Sequence, residues 1–575
     1  MHTAHETLTS RLQAALVAAF GPDYQGWDPQ LRDATKPEFG HLQSNLPLRL
    51  AKPTGLPPRQ AGERLLEALH IEDLCLLPQL AGAGFINITW RPEFLADQVN
   101  AMLADDRLGV PAASPAQRVV IDYSSPNVAK QMHVGHLRST VIGDALARVL
   151  AFAGHDVIAQ NHLGDWGTQF GMLIEQLLSE GHDGGDLNLA DLDALYRRAR
   201  ARFQTDTDFI EKSRTRVVAL QSGDPETLGI WQRLVAVSLA AFDEMYARMG
   251  ALLTDADVAG ESSYNDALAG VVDDLANAGL LTKSDGALCA FLPGFTGRDG
   301  SPLPLIVRKA DGGFGYDATD LAALRHRVDD LKADRLVYVV DARQSLHFDQ
   351  VFTLGRTAGW LPEWVTAEHV AFGTVLGEDG KPFKTRSGQT VSLASLLDAA
   401  EAKAKALLDE RGSDLAEPTR PQTGRAVGIG AVKYADLSSD LGRDYVFALD
   451  RMVAMDGNTG PYLQYAHARL ASLLAKAGEE PQHVGALEHP AEQRLALLLI
   501  GFGEAVEKVA ATLEPHHLCG YLYQVAVALS GFYEACPVLK AQGGTRTTRL
   551  ALCVATRKVL ATGLNLLGIY APNKM

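Results

Sequence analysis

Two histidines flank a glycine at His133-Val134-Gly135-His136, a pattern whose chemistry depends on the elements that carry it. Val119, Val120 and Ile121 form an apolar run of the length a buried parallel strand needs, followed by a Ser/Pro/Asn turn. Leu137, Val141, Ile142, Ala145, Leu146, Val149 and Leu150 then repeat at helical spacing, and Gly154 with His155 supplies a stop before a second strand near Val157. The unit reads as βαβ. Both imidazoles therefore stand at the first turn of a helix, beside backbone N–H groups that lack intrahelical partners and attract phosphate. Gly135 removes a side chain where a nucleotide would lie against the backbone, and the two rings can hydrogen-bond the oxygens of a triphosphate. Taken alone, the four residues read as a surface pair or half a metal site. The strand before them and the helix after them favour the nucleotide.

At 575 residues the chain is too long for one core and predicts three or four units. Hydrophobic content of 47% with 21% charged residues is ordinary for a soluble globular protein. The longest apolar run, Leu495 to Phe502, is too short to span a membrane, so no membrane partner is expected. The N-terminal LTSRLQAALVAAFG lacks the basic start and small-residue cleavage pattern of a signal peptide; it reads as an amphipathic helix, and a cytoplasmic location is expected. Cys75, Cys289, Cys519, Cys536 and Cys553 are scattered with no C-x-x-C pair, which argues against disulfides or structural zinc, and no metal ligands are assigned. The formal net charge is −16, yet residues 451–575 hold 11 Lys plus Arg against 9 Asp plus Glu. An acidic total argues against strong non-specific nucleic-acid binding and leaves room for a local basic face.

The longer string S-P-N-x-A-K-x-x-H-x-G-H-L-R-S-T, residues 125–140, resembles arginyl-tRNA synthetases, as does H-L-G-D-W-G at 162–167. The H-x-G-H alone resembles the HIGH signature of class I aminoacyl-tRNA synthetases. A departure lies at K-P-F-K-T-R-S-G, 381–388, where class I enzymes commonly carry K-M-S-K-S; many arginyl enzymes share it, and there the lysine before the HIGH motif, here Lys130, is thought to take over part of the phosphate work.

The expected architecture is α/β: a Rossmann-type parallel-sheet catalytic core with a helical insertion, an N-terminal α+β domain and a C-terminal all-α anticodon-binding domain. Residues 1–112 end in a Pro/Ala-rich joint and resemble the family's N-terminal domain, which meets the tRNA D-loop. There Phe85 could stack on a base and Asn87 read its edge. Residues 113–395 form the core, with 171–285 read as a mainly helical insertion that is assigned no chemistry; its arginines read as solvated surface. The sheet is expected to resume at Leu305-Ile306-Val307, continue through 336–348 and be complete there, with 369–376 a later strand leading into a basic loop. Residues 396–454 read as a helical linker. In the all-helical 455–575, Tyr462, Tyr465 and Arg469 offer aromatics and a cation for base stacking.

The resemblance implies ATP-dependent activation of L-arginine and transfer to the terminal ribose of tRNA(Arg), with Mg²⁺ accompanying ATP, activation that needs tRNA present, and a monomeric enzyme. Lys130, His133, His136 and Lys384 are the expected catalytic residues, joined at ATP by Gly135 and Lys381. Selecting arginine needs acceptors for a planar, permanently charged fork; Asp122, Tyr316 and Asp320 match the family's positions for it, and Tyr316 and Asp320, four apart, share a helix face. Asn127 and Gln344 match those at the α-amino end, and His162 is expected in the same pocket. A nucleotidyltransferase without RNA would not need the helical tail. A catalytically dead relative would not need His133, His136, Asp320 and Gln344 intact, and a cysteinyl-type synthetase would carry zinc-ligand cysteines.

Overall fold

The computed structural model describes all residues except 1–2, 183, 186, 298, 384–390 and 411–418. Its centre is a four-stranded parallel sheet built from β1 (Arg118–Asp122), β2 (Asp156–Gln160), β3 (Arg335–Asp341) and β4 (Thr366–Phe372), in the order β4-β3-β1-β2. The two inner strands, β1 and β3, are nearly continuous buried apolar runs, as strands covered on both faces must be, and the outer β2 and β4 are only partly buried. β1 hydrogen-bonds to β3, pairing Asp122 with Tyr338, although the chain between them runs out through β2 and the whole insertion. The connection reverses between β1 and β3, and in open α/β sheets ligands bind at the carboxyl ends of strands at such a point.

Two expectations about the sheet are corrected. Leu305, Ile306 and Val307 lie in the strand Pro302–Arg308, which pairs antiparallel with Ala287–Thr296 in a separate three-stranded sheet. Its burial alternates, with Leu305 and Val307 inside and Ile306 41% exposed, as a sheet with one wet face requires. The fourth parallel strand is β4, so the sheet is not complete at 348.

The Val134–Phe152 helix packs across the sheet through Gly143, where an added Cβ would fall 2.2 Å from Tyr123 of the β1 exit. Five helices make most of the insertion: Thr168–Ser179, Leu189–Thr205, Thr207–Gln221, Pro225–Met249 and Asn265–Asn277. The linker region forms the helices Leu393–Glu410 and Thr419–Leu437, and the C-terminal domain is a five-helix bundle from Gly460 to Leu566. At the N-terminus the expected helix is Ala4–Phe20, capped by Thr3, beside a four-stranded antiparallel sheet that contains Phe85–Ile88. Asn100 of this end exchanges two hydrogen bonds with the Val484 backbone, at 2.9 and 2.7 Å, tying the two termini of the chain together. All five cysteines are free and buried, as their scatter indicates.

Candidate active site

His133 caps the Val134–Phe152 helix rather than lying within it. The backbone N–H of Gly135 donates to His133 Nδ1 at 3.0 Å, and the N–H of His133 donates to His136 Nδ1 at 3.1 Å. Two otherwise orphaned donors are thereby satisfied, and the rings stack with centroids 3.9 Å apart. An Nδ1 that accepts an N–H carries no proton, so each neutral ring keeps its proton on Nε2. Burial, the neighbouring His133 ring and the Lys130 charge lower His136 to about 3; burial and Lys130 also lower His133. At neutral pH the pair is two uncharged N–H donors at a helix N-terminus. Gly135 has a further reason to be glycine: a Cβ there would meet His133 Cε1 at 2.7 Å.

The loop from β1 to this helix is held in an unusual backbone. Ser124, Ser125 and Ala129 all have positive φ, of 72°, 47° and 63°, which costs energy for residues with a Cβ and persists only where surroundings impose it. Ser124 N–H donates to Ser139 Oγ at 2.8 Å, and Ser139 donates to the Val339 carbonyl of β3 at 2.7 Å. Asn127, exposed, sits against Gly164, whose added Cβ would meet Asn127 Oδ1 at 2.6 Å. The glycine of the H-x-G-D string thus makes room for the asparagine of the S-P-N string.

Asp320 lies at the switch point. Its Oδ2 is 2.5 Å from His347 Nε2 and its Oδ1 is 3.6 Å from His162 Nε2. His347 also reaches Asp317, at 3.1 Å. Burial works against charge on His347, but its hydrogen bonds to Asp317 and Asp320 push it up to about 9, so it is a cation at neutral pH. Burial likewise opposes ionising Asp320, yet the His347 hydrogen bond and the His162 and His347 charges hold its carboxyl below the ordinary range. Buried His162 Nδ1 has no hydrogen-bond partner among the described residues. Tyr316 stands 64% exposed beside His347, ring centroids 5.0 Å apart, and Gln344 is exposed at the start of the Ser345–Thr357 helix.

Asp122 is engaged by side chains of the protein itself. Arg327 Nη2 donates to Asp122 Oδ2 at 2.7 Å and Ser125 Oγ donates to Oδ1 at 2.9 Å, while Arg327 Nε donates to Gln160 at 2.6 Å. An internal guanidinium, buried to 1% exposure, already occupies this carboxylate.

Sequence reasoning passed over Glu261. Asp165 accepts the backbone N–H of Ser262 at 2.9 Å and its hydroxyl at 2.6 Å, and Gly260 lies so close that a Cβ would meet Asp165 Oδ2 at 2.5 Å. Glu261 N–H donates to the Leu163 carbonyl at 3.0 Å. The H-L-G-D string therefore grips the 261–264 turn and brings Glu261 and Tyr264 to the pocket, the Tyr264 ring 5.7 Å from that of His162. Burial, then the charges of Asp320 and Asp165, push Glu261 up to about 8. The only signal in the sequence is a glycine before an acid in G-E-S-S-Y, too common to single out.

Lys130 lies close enough to the imidazole pair for its charge to depress both rings. Lys381 is exposed after the Asp379-Gly380 turn. Lys384, with Arg386, lies outside the described residues. Beyond them the chain returns to the histidines: Val134 N–H donates to Val391 at 3.1 Å and Leu393 N–H to Met132 at 2.9 Å. At the loop's start, buried Arg138 donates to the carbonyls of Gly373 and Arg443 at 2.9 and 3.1 Å and pairs with Asp436. Described residues on either side of 384–390, Gly373 and Val391, thus both contact the helix that carries His136.

Of the residues expected to meet RNA, Phe85 is 38% exposed, whereas Asn87 is buried and accepts from Gln43 Nε2 at 2.7 Å, so its amide is engaged within the sheet. Tyr462, Tyr465 and Arg469 line one small pocket with Tyr533, over which Arg469 stacks at 3.8 Å. Tyr533 comes from a different helix, a pairing that spacing cannot reveal.

Three family models match in order: the arginyl-tRNA synthetase N-terminal domain at 6–90, the catalytic domain of class I tRNA synthetases (R) at 98–449, and the DALR anticodon binding domain at 463–575. The chain is 52% identical to the arginine–tRNA ligase of Cutibacterium acnes over 99% of its length and all of that protein. It is also 52% identical to that of Thermobifida fusca, over 99% of both. Among solved structures it matches the arginyl-tRNA synthetase of Plasmodium falciparum with a TM-score of 0.84 at 27% identity, covering all of both chains. The Thermus thermophilus arginyl-tRNA synthetase matches with a TM-score of 0.80 at 27% identity, over 99% of this chain and all of that one.

Proposed function

The chain belongs to the arginyl-tRNA synthetase family, and on that premise we propose how its residues carry out the ligation it performs. It is an arginine–tRNA ligase: the carboxylate of L-arginine attacks the α-phosphorus of ATP, pyrophosphate leaves, and a terminal ribose hydroxyl of tRNA(Arg) then takes the arginyl group from the adenylate. No protein nucleophile is needed, so the protein's work is alignment and stabilisation of charge. The observation that carries the assignment is that both halves of the site hang from β1: the neutral imidazole pair caps the helix that follows it, and Asp122 at its end holds Arg327, whose charge acts on the Asp320 carboxyl.

His133 and His136 donate their Nε2–H groups to phosphate oxygens, Gly135 lets the nucleotide approach, and Lys130, Lys381 and Lys384 supply positive charge. Mg²⁺ accompanies ATP. The ion would neutralise charge on the phosphates, while Asp320 and Asp122 are engaged by His347 and Arg327. Asp320, Glu261, Tyr316 and His162 receive the arginine side chain; Asn127 and Gln344 hold its α-amino end. Asp122 acts one step removed, fixing Arg327, whose charge helps to keep Asp320 ionised. Residues 1–112 meet the D-loop through Phe85, and the pocket of Tyr462, Tyr465, Arg469 and Tyr533 takes an anticodon base. Residues 396–454 link the core to that domain. The enzyme acts as a monomer in the cytoplasm, where its substrates are.

Arginine-dependent exchange of pyrophosphate into ATP, with and without tRNA and with lysine and citrulline as competitors, tests the assignment. Exchange with arginine plus tRNA, and with neither competitor, is expected. Exchange with arginine alone would remove the tRNA requirement and keep the ligase; exchange supported by citrulline would remove the carboxylate pocket as its basis.

Arginine binding should also depend on pH through Glu261. In the free protein this carboxyl holds its proton up to about pH 8, and a guanidinium beside it favours the ionised form, so binding below that pH must release a proton. Affinity for arginine should therefore rise between pH 6 and 8, by at most about tenfold per unit, and level off above 8. His347 stays cationic across this window. Calorimetric titration in buffers of different ionisation enthalpy measures the proton released, and Glu261→Gln should abolish it. A release that survives this substitution assigns the titration elsewhere.

A further inference from the structure

The insertion touches the catalytic loop at three places, none of which its sequence indicates. Tyr246, on the Pro225–Met249 helix, hydrogen-bonds Ser124 Oγ at 2.8 Å and accepts from Asn161 Nδ2 at 3.0 Å. Ser238, fully buried on the same helix, accepts the backbone N–H of Ala129 at 3.0 Å and donates to the Leu234 carbonyl at 2.9 Å. Ser124 and Ala129 are two of the three residues that this loop holds at positive φ. The third contact is on the next residue: Lys130 Nζ lies 4.4 Å from the centroid of the Tyr196 ring, on the Leu189–Thr205 helix.

A lysine after a strained residue at the mouth of a polar site has four rotatable bonds and no inherent direction. Ser238 fixes where its backbone starts, and the Tyr196 face offers a seat for its ammonium through the ring quadrupole. The charge of this ammonium is also among the causes that lower both imidazoles, after burial. The position is thus defined from one side by an insertion that carries none of the residues assigned to ATP.

We propose that Tyr196 is a positioning residue for the activation step: its ring holds the Lys130 ammonium beside His133 and His136, ready for the phosphates of ATP. The proposal rests on the assignment of Lys130 to those phosphates. A ring that seats a cation acts through its face, and its hydroxyl is dispensable. Replacement by a flat apolar ring should therefore preserve the effect, and by a branched aliphatic side chain should remove it.

The test is steady-state pyrophosphate exchange by the full chain with tRNA present, comparing wild type, Tyr196→Leu, Tyr196→Phe, Lys130→Ala and the Lys130→Ala/Tyr196→Leu pair, each with its melting temperature. Tyr196→Leu should lower kcat/KM for ATP by roughly tenfold and leave KM for arginine unchanged. Tyr196→Phe should stay within about twofold of wild type, and in the Lys130→Ala background Tyr196→Leu should have no further effect on ATP. Equal losses for Leu and Phe, a parallel loss toward arginine, or a loss that persists without the lysine would overturn the proposal, since a structural defect predicts each of them. If Lys130→Ala itself leaves the ATP parameters intact, the assignment of the lysine fails instead, independently of how Tyr196 behaves.

Discussion

Asp320→Asn is expected to lower kcat/KM for arginine about a thousandfold while changing KM for ATP by no more than about threefold. The substitution keeps the shape of the side chain and its place on the Tyr316–Asp329 helix, so the loss reports charge and not packing. In the wild type, Asp320 is the carboxylate on which His347 and His162 converge, and the Arg327 charge leans toward it from behind. An amide supplies an N–H where an acceptor is required, and it faces the N–H of His347 on one side and the fork of the substrate on the other. The desolvated donors left without an acceptor account for most of the cost. His347, with only Asp317 remaining, should titrate well below its present value of about 9. The two readouts separate the possibilities. A comparable loss toward ATP would mean that Asp320 supports the phosphate end, and an effect on arginine under about fivefold would remove it from the specificity pocket, leaving Glu261 as the carboxyl to test next.

What could be read from the sequence was chemistry carried by contiguous strings; what could not was chemistry assembled from distant ones. His133, Gly135 and His136 were legible because one strand and one helix define their surroundings, and the structure places them at that helix's N-terminus. Asp320 was legible through its resemblance to the family and its spacing from Tyr316. Its partner His347 lies beyond β3, and the strength of that pair depends on burial that spacing does not encode. For Asp122 the resemblance named the position, but spacing could not supply its partner Arg327, which comes from a helix far along the chain. Misplacing residues 305–307 has a similar origin: a short Leu-Ile-Val run fits a buried parallel strand and a one-sided antiparallel strand equally well. The Asp285-Gly286 turn, which joins Thr282–Ser284 to Ala287–Thr296, was the available hairpin signal. The insertion was read by its charged faces, and it is the inward-facing Tyr246, Ser238 and Tyr196 that reach the site.

Gly135→Ala is expected to lower kcat for arginine activation about a hundredfold while changing thermal stability little, since the gain in helix propensity and the loss of the His133 cap are of similar size. The two effects have different physical sources. Gly135 lies within a helix and its φ is not positive, so alanine fits the backbone and gains helix propensity of up to about 1 kcal/mol. The new Cβ, however, falls 2.7 Å from Cε1 and 2.9 Å from Nδ1 of His133, closer than carbon atoms approach. The helix cannot yield, because Val134 and Leu137 are buried in the core on either side. The imidazole yields, and with it go the Gly135 N–H bond to His133 Nδ1 and the stack on His136. A shift of about 1 Å in a donor aimed at the reacting phosphate is enough for a loss of this order. KM for arginine should change little, since Asp320 and Glu261 lie on other elements. Melting temperature and single-turnover adenylate formation, measured on the same preparation, decide the matter: a stable enzyme with slow chemistry supports the steric account, whereas an enzyme that melts early and binds arginine poorly would place the damage in the fold.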